Sequence, residues 1–320
     1  MGLTSFFTVG EIIGKSPVMQ PVYELIAAAA ARKMNVLIYG ETGVGKELVA
    51  RAIHQLSDRR GQPLVIVNCG AITETLFEQE FFGHRKGSFT GADRDYAGFF
   101  AIAHHGTLFL DEIGELSPVM QVKLLRSIET GEYTPVGDTH SRTADVHIIA
   151  ATNHNPDKML EDGTMRDDFY YRICILRIAV PPLRERREDI PLLIEYFLRQ
   201  YNQNSPPDGL PRTLFNEFCA YDWPGNVRQL QTEIQRYLAT GHLTFPPTTA
   251  SMESEPVSPL PDVSAAQMRT NLLQTASALA EKQMIQNALR QTSGRKEKAA
   301  ALLGINRRTL YKKIKQHGIE

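Results

Sequence analysis

A glycine-rich loop between an apolar segment and an amphipathic helix constrains the fold of this chain more than any other stretch. The loop, GETGVGKE, follows NVLIY and opens KELVARAIHQL. Its glycines let backbone N–H groups converge on phosphate oxygens, the helix N-terminus adds positive potential, and Lys46 can reach the outer phosphates. The alternative, a glycine-rich turn with an incidental lysine, is disfavoured by this strand, loop and helix context. We therefore predict a nucleotide-binding loop formed by Gly40, Glu41, Thr42, Gly43, Val44, Gly45, Lys46 and Glu47.

Two carboxylates follow a second apolar segment, as nucleotide hydrolysis requires. In TLFLDE, Asp111 and Glu112 stand at the end of a strand. We expect Asp111 to hold magnesium and Glu112 to polarise the attacking water. Glu47 stands where such loops usually carry Ser or Thr, so Asp111 and water molecules must supply more of the metal ligands. ATP and Mg²⁺ are the predicted cofactors.

Five other polar residues are candidates for the same site. Asn153 in AATN is placed to orient the water or sense the γ-phosphate, although a polar residue that caps a strand end is the alternative. Asn68 in VNCG is placed to hold the water-activating carboxylate inactive. Arg166 and Arg172 in MRDDFYYRI are expected to enter the site of a neighbouring subunit, which makes a ring the active form. Arg228 in WPGNVRQL is expected to contact the phosphates from the lid; the alternative for each arginine is a surface ion pair.

The order of apolar and amphipathic segments predicts an α/β fold with a doubly wound parallel sheet. Five runs are apolar on both faces, which is typical of buried parallel strands: NVLIYG, LVIVNCG, TLFLDE, VHIIAATN and ILRIAV. We predict an α/β ATPase subdomain over residues 10–180 and a helical lid over 181–242. A Pro-, Ser- and Thr-rich linker follows over 243–264, and a small all-α domain over 265–320.

The last predicted domain concentrates positive charge that the whole chain lacks. The net charge is −1, so any affinity for nucleic acid or anionic lipid must come from a local patch. From residue 294 to 320 there are eight Lys or Arg and two Glu. The spacing is that of a helix-turn-helix, with Ala300 and Leu310 inward; a merely solvated basic helix is the alternative. The predicted DNA-binding residues are Asn306, Arg307, Arg308, Thr309 and Lys312.

The cysteines and the hydropathy of the chain indicate in which cellular compartment the protein is expected. Cys69, Cys174 and Cys219 are far apart and outside any metal-ligand spacing, which favours reduced core thiols. No apolar run approaches the length of a membrane span, and the N-terminal residues lack the pattern of a secretory signal. We expect a cytoplasmic protein that does not contact membranes.

The stretch GSFTGA, residues 87–92, predicts a loop, because its glycines and small residues disfavour a helix or a strand interior. Phe89 at the tip is either an anchor folded onto its own domain or a hook for a partner.

Six motifs together resemble a known family. GETGVGKE, GSFTGA, GTLFLDE, AATN, FYYR and WPGNVRQL occur in this order over about residues 10 to 242, and they resemble the AAA+ domain of bacterial sigma-54-dependent transcription activators. The basic tail resembles the Fis-type helix-turn-helix of the same proteins. The resemblance implies an AAA+ P-loop NTPase with a parallel sheet and a helical lid. The family usually has Glu at position 47 and Ala where this chain has Ser88.

The resemblance also implies roles for single residues. In the family the loop around Phe89, Thr90 and Gly91 contacts sigma-54 and transmits ATP-driven motion. By the same matching, Asn68 restrains Glu112 and Asn153 is the first sensor. The remaining matches make Arg166 and Arg172 arginine fingers that act in trans, and Arg228 the second sensor. The segment EYTPVGDTHSRTADVH, which contains Arg142, matches the second pore loop of the family.

The expected function is that of an ATP-hydrolysing, enhancer-bound activator that remodels sigma-54 RNA polymerase holoenzyme. The expected assembly is a homo-oligomeric ring, with a hexamer preferred. Since the resemblance begins close to Met1, no receiver domain is expected, and control would come from a co-activator subunit, a regulatory protein in trans or expression level. Two competing classes are an AAA+ DNA-remodelling motor or replication initiator, and a non-enzymatic DNA-binding regulator with a degenerate ATPase.

Overall fold

The computed structural model describes residues 8–9, 11–201 and 211–241, together with ten single positions of the tail. Those positions are 292, 296, 298, 300, 306, 307, 309, 310, 312 and 313. The chain divides into two units, Met1–Ser251 and Met252–Glu320. The predicted linker over 243–264, the first part of the predicted tail domain, and Arg308 lie outside the described residues.

Five parallel strands form the central sheet, and they are the five that the apolar runs predict. Their order across the sheet is β4, β5, β8, β3, β9, and every neighbouring pair is parallel. The strands are β3 (Val36–Tyr39), β4 (Leu64–Asn68), β5 (Thr107–Asp111), β8 (His147–Thr152) and β9 (Leu176–Ala179). Two short antiparallel pairs accompany the sheet: β1 (Thr8–Val9) with β2 (Ile12–Ile13), and β6 (Glu132–Tyr133) with β7 (Arg142–Thr143).

Helices cover both faces of the sheet, which explains why the strands are apolar throughout. Along β5, Leu108 and Leu110 pack into one core layer, whereas Phe109 packs into the other, as the two-residue period of a strand dictates. One layer involves α3 (Glu74–Phe82), α4 (Phe99–Ile102), α5 (Pro118–Thr130), α6 (Pro156–Glu161) and α7 (Asp167–Ile173), and the other α1 (Gln20–Arg32) and α2 (Lys46–Leu56).

Three further helices form the predicted lid around a separate core. They are α8 (Ile190–Tyr201), α9 (Arg212–Ala220) and α10 (Asn226–Thr240). Trp223 is fully buried at the centre of this core, and its indole N–H donates to the carbonyl of Phe218 at 2.8 Å. The lid is therefore a packed unit, positioned by the segment between β9 and α8.

Parallel pairing brings the polar ends of neighbouring strands to one edge of the sheet. Asn68 pairs with Asp111, and Tyr39 pairs with Thr152. The loop that follows β3 and the residues that follow β5 and β8 therefore meet at the carboxyl edge, where open α/β sheets bind ligands.

In the tail unit, burial follows the predicted pattern at the described positions. Ala300 and Leu310 are buried, and the backbone N–H of Leu310 donates to the carbonyl of Asn306 at 3.1 Å. The predicted DNA-binding residues that the structure describes are all exposed: Asn306, Arg307, Thr309 and Lys312. Across the described part of the chain, no helix is long and apolar enough to cross a membrane.

Candidate nucleotide site and the loops beside it

The glycine-rich loop curls into the N-terminus of α2 because its glycines adopt conformations that other residues avoid. Gly43 and Gly45 have φ of 82° and 103°, in the left-handed region where a Cβ is costly. The ammonium of Lys46 donates to the carbonyls of Gly40, at 2.8 Å, and Glu41, at 3.1 Å. Burial lowers the pKa of Lys46, and the nearby guanidinium of Arg228 also lowers it, while the Asp111 carboxylate opposes the shift. The lysine is thus held over the loop by acceptors that a phosphate oxygen can replace.

Most of the predicted phosphate-site residues line one cleft of about 340 Å³. Five of them come from four different segments of the chain and line this one space: Lys46, Asp111, Glu112, Asn153 and Arg228. Thr42, Gly43, Gly45 and Glu47 line it as well. The structure therefore brings together most of the residues that the sequence predicts for nucleotide binding and hydrolysis.

The two carboxylates at the end of β5 have different surroundings. Burial raises the pKa of Asp111, although one of its oxygens accepts a 3.0 Å hydrogen bond from the backbone N–H of Glu112. Glu112 itself has φ of 54°, a strained backbone for a residue with a Cβ, and such strain concentrates at functional sites. The backbone turn at Glu112 thus gives its carboxylate a different direction from that of Asp111.

Hard oxygen donors in the cleft fit Mg²⁺. The carboxylate of Asp111 and the hydroxyl-bearing Thr42 line the same space, and Mg²⁺ is usually bound by one or two carboxylates plus water and phosphate oxygens. The carboxylate of Glu47 forms an ion pair with Arg51, one turn further along α2, at 2.7 and 2.9 Å. Asp111 is therefore the better metal ligand of the two acidic residues.

Asn68 and Glu112 lie close together, but no hydrogen bond joins them in the described structure. A Cβ placed on Gly70 would lie 2.6 Å from a carboxylate oxygen of Glu112 and 3.3 Å from the side-chain oxygen of Asn68. That Asn68 oxygen instead accepts a hydrogen bond from the N–H of Ala71 at 3.2 Å. The restraint of Glu112 by Asn68 stays a prediction, and Gly70 keeps the space between the two side chains open.

Arg166 and Arg172 lie outside the cleft of their own chain. The guanidinium of Arg166 pairs with Asp168, with contacts of 3.1 and 2.8 Å. Arg172 donates to the carbonyls of Ile128 and Glu129 at the end of α5, at 3.1 Å each. Both side chains are exposed, so both are accessible to another subunit.

The lid docks directly on the glycine-rich loop, through Asn226 and Arg184, which the sequence did not identify. Asn226, fully buried and with φ of 53°, donates to a carboxylate oxygen of Glu41 at 3.1 Å and to the carbonyl of Thr42 at 3.0 Å. The same carboxylate accepts two hydrogen bonds from Arg184, at 2.6 and 2.9 Å, and the bond from Arg184 lowers the pKa of Glu41, as does that from Asn226. The only sequence signal was the WPGN turn itself, where Gly and Asn tolerate unusual backbone conformations.

A second, mostly apolar cavity of about 250 Å³ adjoins the cleft. Its walls come from β2, from α2 and from the lid helices, including Ile12, Val49, Leu193 and Phe197. Arg186 also lines it and donates to the carbonyl of Val44 at 2.8 Å; burial lowers the pKa of this guanidinium. The cavity has the size and lining of a site for a flat apolar group such as a nucleobase, and it forms only when the distant segments pack.

The GSFTGA loop is held by hydrogen bonds between its own backbone groups. Gly87 N–H donates to the carbonyl of Ala92 at 2.8 Å, and Ala92 N–H donates to that of Phe89 at 3.1 Å. The Phe89 ring packs edge-on to His84, 4.9 Å between centroids, yet it remains 39% exposed. Thr90 and Gly91 are also exposed. The ring is thus packed against its own domain and partly open to solvent, and the partner-facing role of Phe89 stays a prediction.

The second predicted pore loop is hydrogen-bonded to the residues that lead into the GSFTGA loop, which is the first pore loop. Arg85 N–H donates to the carbonyl of Val136, and Val136 N–H donates to that of Gly83, at 3.0 and 2.9 Å. Asp138 accepts from Arg85 at 2.9 Å and from Arg142 at 3.1 Å. The pKa of Asp138 is held well below its usual range, mainly by a hydrogen bond from the backbone N–H of His140 and to a smaller extent by the two arginines. Arg142, singled out by the sequence, thus takes part in a charge cluster that joins the two loops.

Comparison with family models assigns three parts of the chain. Residues 12–179 match the Sigma-54 interaction domain, residues 184–244 match an AAA+ ATPase lid domain, and residues 278–317 match the Fis family of bacterial regulatory proteins.

Relatives and solved structures agree with these matches. The chain is 43% identical over 307 residues to the transcriptional regulatory protein ZraR of Salmonella typhimurium, which covers 95% of this chain and 68% of that protein. It is 39% identical over 315 residues to the regulatory protein AtoC of Escherichia coli, covering 97% of this chain and 68% of that protein. The solved structure of NtrX from Brucella abortus in complex with ATP has a TM-score of 0.66 at 32% identity, and covers 97% of this chain and 70% of that one.

Proposed function

The chain belongs to the family of sigma-54-dependent transcription activators, and we propose that it couples ATP hydrolysis to the remodelling of sigma-54 RNA polymerase, converting closed promoter complexes into open ones. It has the AAA+ P-loop fold with a helical lid and a Fis-type helix-turn-helix. Its expected place of action is the cytoplasm, where the polymerase and the enhancer DNA are found.

The cleft supplies the groups that ATP binding and hydrolysis need. Lys46 would exchange its loop carbonyls for β- and γ-phosphate oxygens, while the loop N–H groups and the N-terminus of α2 bind the remaining charge. Asp111 would hold Mg²⁺, which neutralises charge on the phosphates when it is bound. Glu112 would accept a proton from the attacking water, and Asn153 would orient that water. The solved structure of NtrX in complex with ATP supports ATP as the ligand of this site.

The lid and a neighbouring subunit would complete the site. Arg228 lines the cleft from α10 and would contact the phosphates there, whereas Arg166 and Arg172 are exposed away from the cleft of their own chain. Cationic groups that reach the transferring phosphoryl group account for a large part of phosphoryl-transfer catalysis. Hydrolysis would therefore require a ring of subunits, and a hexamer is proposed.

The loop that carries Phe89 and Thr90 would contact sigma-54 and transmit the motion driven by ATP hydrolysis to the polymerase. The residues that lead into this loop are hydrogen-bonded to the second pore loop, so a movement of one would be passed to the other. Its exposed aromatic ring and hydroxyl are available to sigma-54. The helix-turn-helix would hold the ring at an enhancer through Asn306, Arg307, Arg308, Thr309 and Lys312.

The observation that carries this proposal is the convergence of Lys46, Asp111, Glu112 and Arg228 on one cleft, in a chain whose residues 12–179 match the Sigma-54 interaction domain. The test is transcription from a supercoiled sigma-54 promoter with purified holoenzyme. Open complexes should require both this protein and hydrolysable ATP. A promoter that depends on another sigma factor is the matched control and should not respond. If ATP hydrolysis were stimulated by DNA alone and no promoter opened, the DNA-motor interpretation would replace this one.

A further inference from the structure

The phosphate cleft and the apolar cavity share one short stretch of wall. Four residues line both spaces: Gly45, Leu48, Val227 and Gln231. If the phosphates of ATP occupy the cleft and its base occupies the apolar cavity, the sugar that joins them must pass these four residues.

Gln231 is the only polar side chain in this shared wall, since the others are glycine, leucine and valine. It lies on α10, one turn after Arg228, and it is half-buried. Its amide nitrogen donates to the hydroxyl of Tyr201, which leaves the amide oxygen as an acceptor.

Tyr201 holds the amide in place. Its ring lies nearly parallel to that of Phe197, at 10° and 6.3 Å between centroids, and Phe197 itself lines the apolar cavity. The amide group of Gln231 is thus fixed by a packed aromatic pair rather than by solvent, and a fixed acceptor loses little entropy on binding.

We propose that Gln231 is a specificity-determining residue that accepts a hydrogen bond from a ribose hydroxyl and makes the site prefer ribonucleotides to deoxyribonucleotides. The inference rests on the proposed nucleotide function and deepens it. A site built to hydrogen-bond a hydroxyl binds the analogue that lacks it more weakly, because the acceptor held in the site then loses its partner.

The test is isothermal titration calorimetry of the entire 320-residue chain with ADP, 2′-deoxyADP and 3′-deoxyADP, which needs no hydrolysis. The parent should bind ADP about threefold to tenfold more tightly than at least one deoxy analogue, the worth of one hydrogen bond. In Gln231→Leu this preference should vanish, with affinity for the discriminated analogue kept at the parent value. Tyr201→Phe should reduce the preference, because the amide is no longer held.

Gln235→Leu is the matched control, since Gln235 is exposed one turn further along α10 and lines neither space. It should keep the full preference. The inference is overturned if the parent binds all three nucleotides equally, or if Gln231→Leu discriminates as the parent does. Absence of ADP binding by the parent would instead overturn the proposed function.

Discussion

Gly137 of the second pore loop lies directly against Ser88 of the first: a Cβ placed on Gly137 would come within 2.5 Å of the Cβ of Ser88. Gly137 also has φ of 79°, where a side chain is strained. The hydroxyl of Ser88 is buried at this contact without a hydrogen-bond partner among the described residues. The two loops therefore touch at a point that accepts only a glycine.

Replacement of Gly137 by alanine should uncouple the two loops. Gly137→Ala adds a clash and a disfavoured φ, which together should lower the free energy of unfolding by about 1–3 kcal/mol. We expect ATP hydrolysis to continue and sigma-54-dependent transcription to fall. The double variant Ser88→Gly, Gly137→Ala is the control: it relieves the clash and should recover part of the activation. Parent-level transcription by Gly137→Ala, with the variant shown to be folded, would mean that the contact has no part in coupling.

Lys46 and Glu112 should affect different steps. Lys46→Ala removes the cation that faces the phosphates and should abolish nucleotide binding, whereas Glu112→Gln keeps the shape of the side chain, retains binding and stops hydrolysis. The measurements are equilibrium ATP binding and phosphate release for each variant. Turnover by Glu112→Gln at the parent rate would exclude Glu112 as the group that activates water.

Arg166 and Arg172 should act across a subunit boundary. Arg166→Ala and Arg172→Ala should each be inactive alone, and mixing either with Glu112→Gln should restore some ATP hydrolysis, since each subunit supplies the part that the other lacks. Circular dichroism checks the fold of Arg172→Ala, because its guanidinium also bonds to the carbonyls that end α5. No rescue in rings shown to be mixed would argue against arginines that act in trans.

In the tail, Arg307 and Lys312 should differ in how they bind DNA. Arg307 is predicted to lie at the start of the recognition helix, so Arg307→Ala should cost about 1–3 kcal/mol at the specific site if it contacts a base. Lys312→Ala should weaken binding to all sequences alike and reduce the salt dependence. Titrations with specific and random duplexes at several salt concentrations measure both. Equal loss on both duplexes for Arg307→Ala would identify it as a phosphate contact.

The five strands and the residues of the phosphate cleft could be predicted from the sequence because each depends on a local pattern. Apolar runs on both faces identified the strands, and parallel pairing then brought Asp111 and Asn153 to the edge where Lys46 lies. These relations follow from chain order and from the geometry of a parallel sheet.

Contacts between distant segments could not be predicted in this way. Asn226 docks on Glu41 across 185 residues, Gly137 packs on Ser88 between two loops, and the apolar cavity joins β2 to the lid. No local pattern specifies which surfaces will meet, and an Asn or a Gly in a turn has the same sequence signature whether or not it is buried against a partner.

The central claim is that the GSFTGA loop converts ATP hydrolysis into work on sigma-54, and Thr90→Ala tests it most directly. Thr90 is exposed and lines neither the cleft nor the apolar cavity, so its truncation should leave ATP hydrolysis and enhancer binding at the parent level. Open-complex formation should be measured on a supercoiled sigma-54 promoter in the same samples. If the loop acts on sigma-54, open complexes should be lost in Thr90→Ala while ATP is hydrolysed at the parent rate. Promoter opening by Thr90→Ala equal to that of the parent would contradict it.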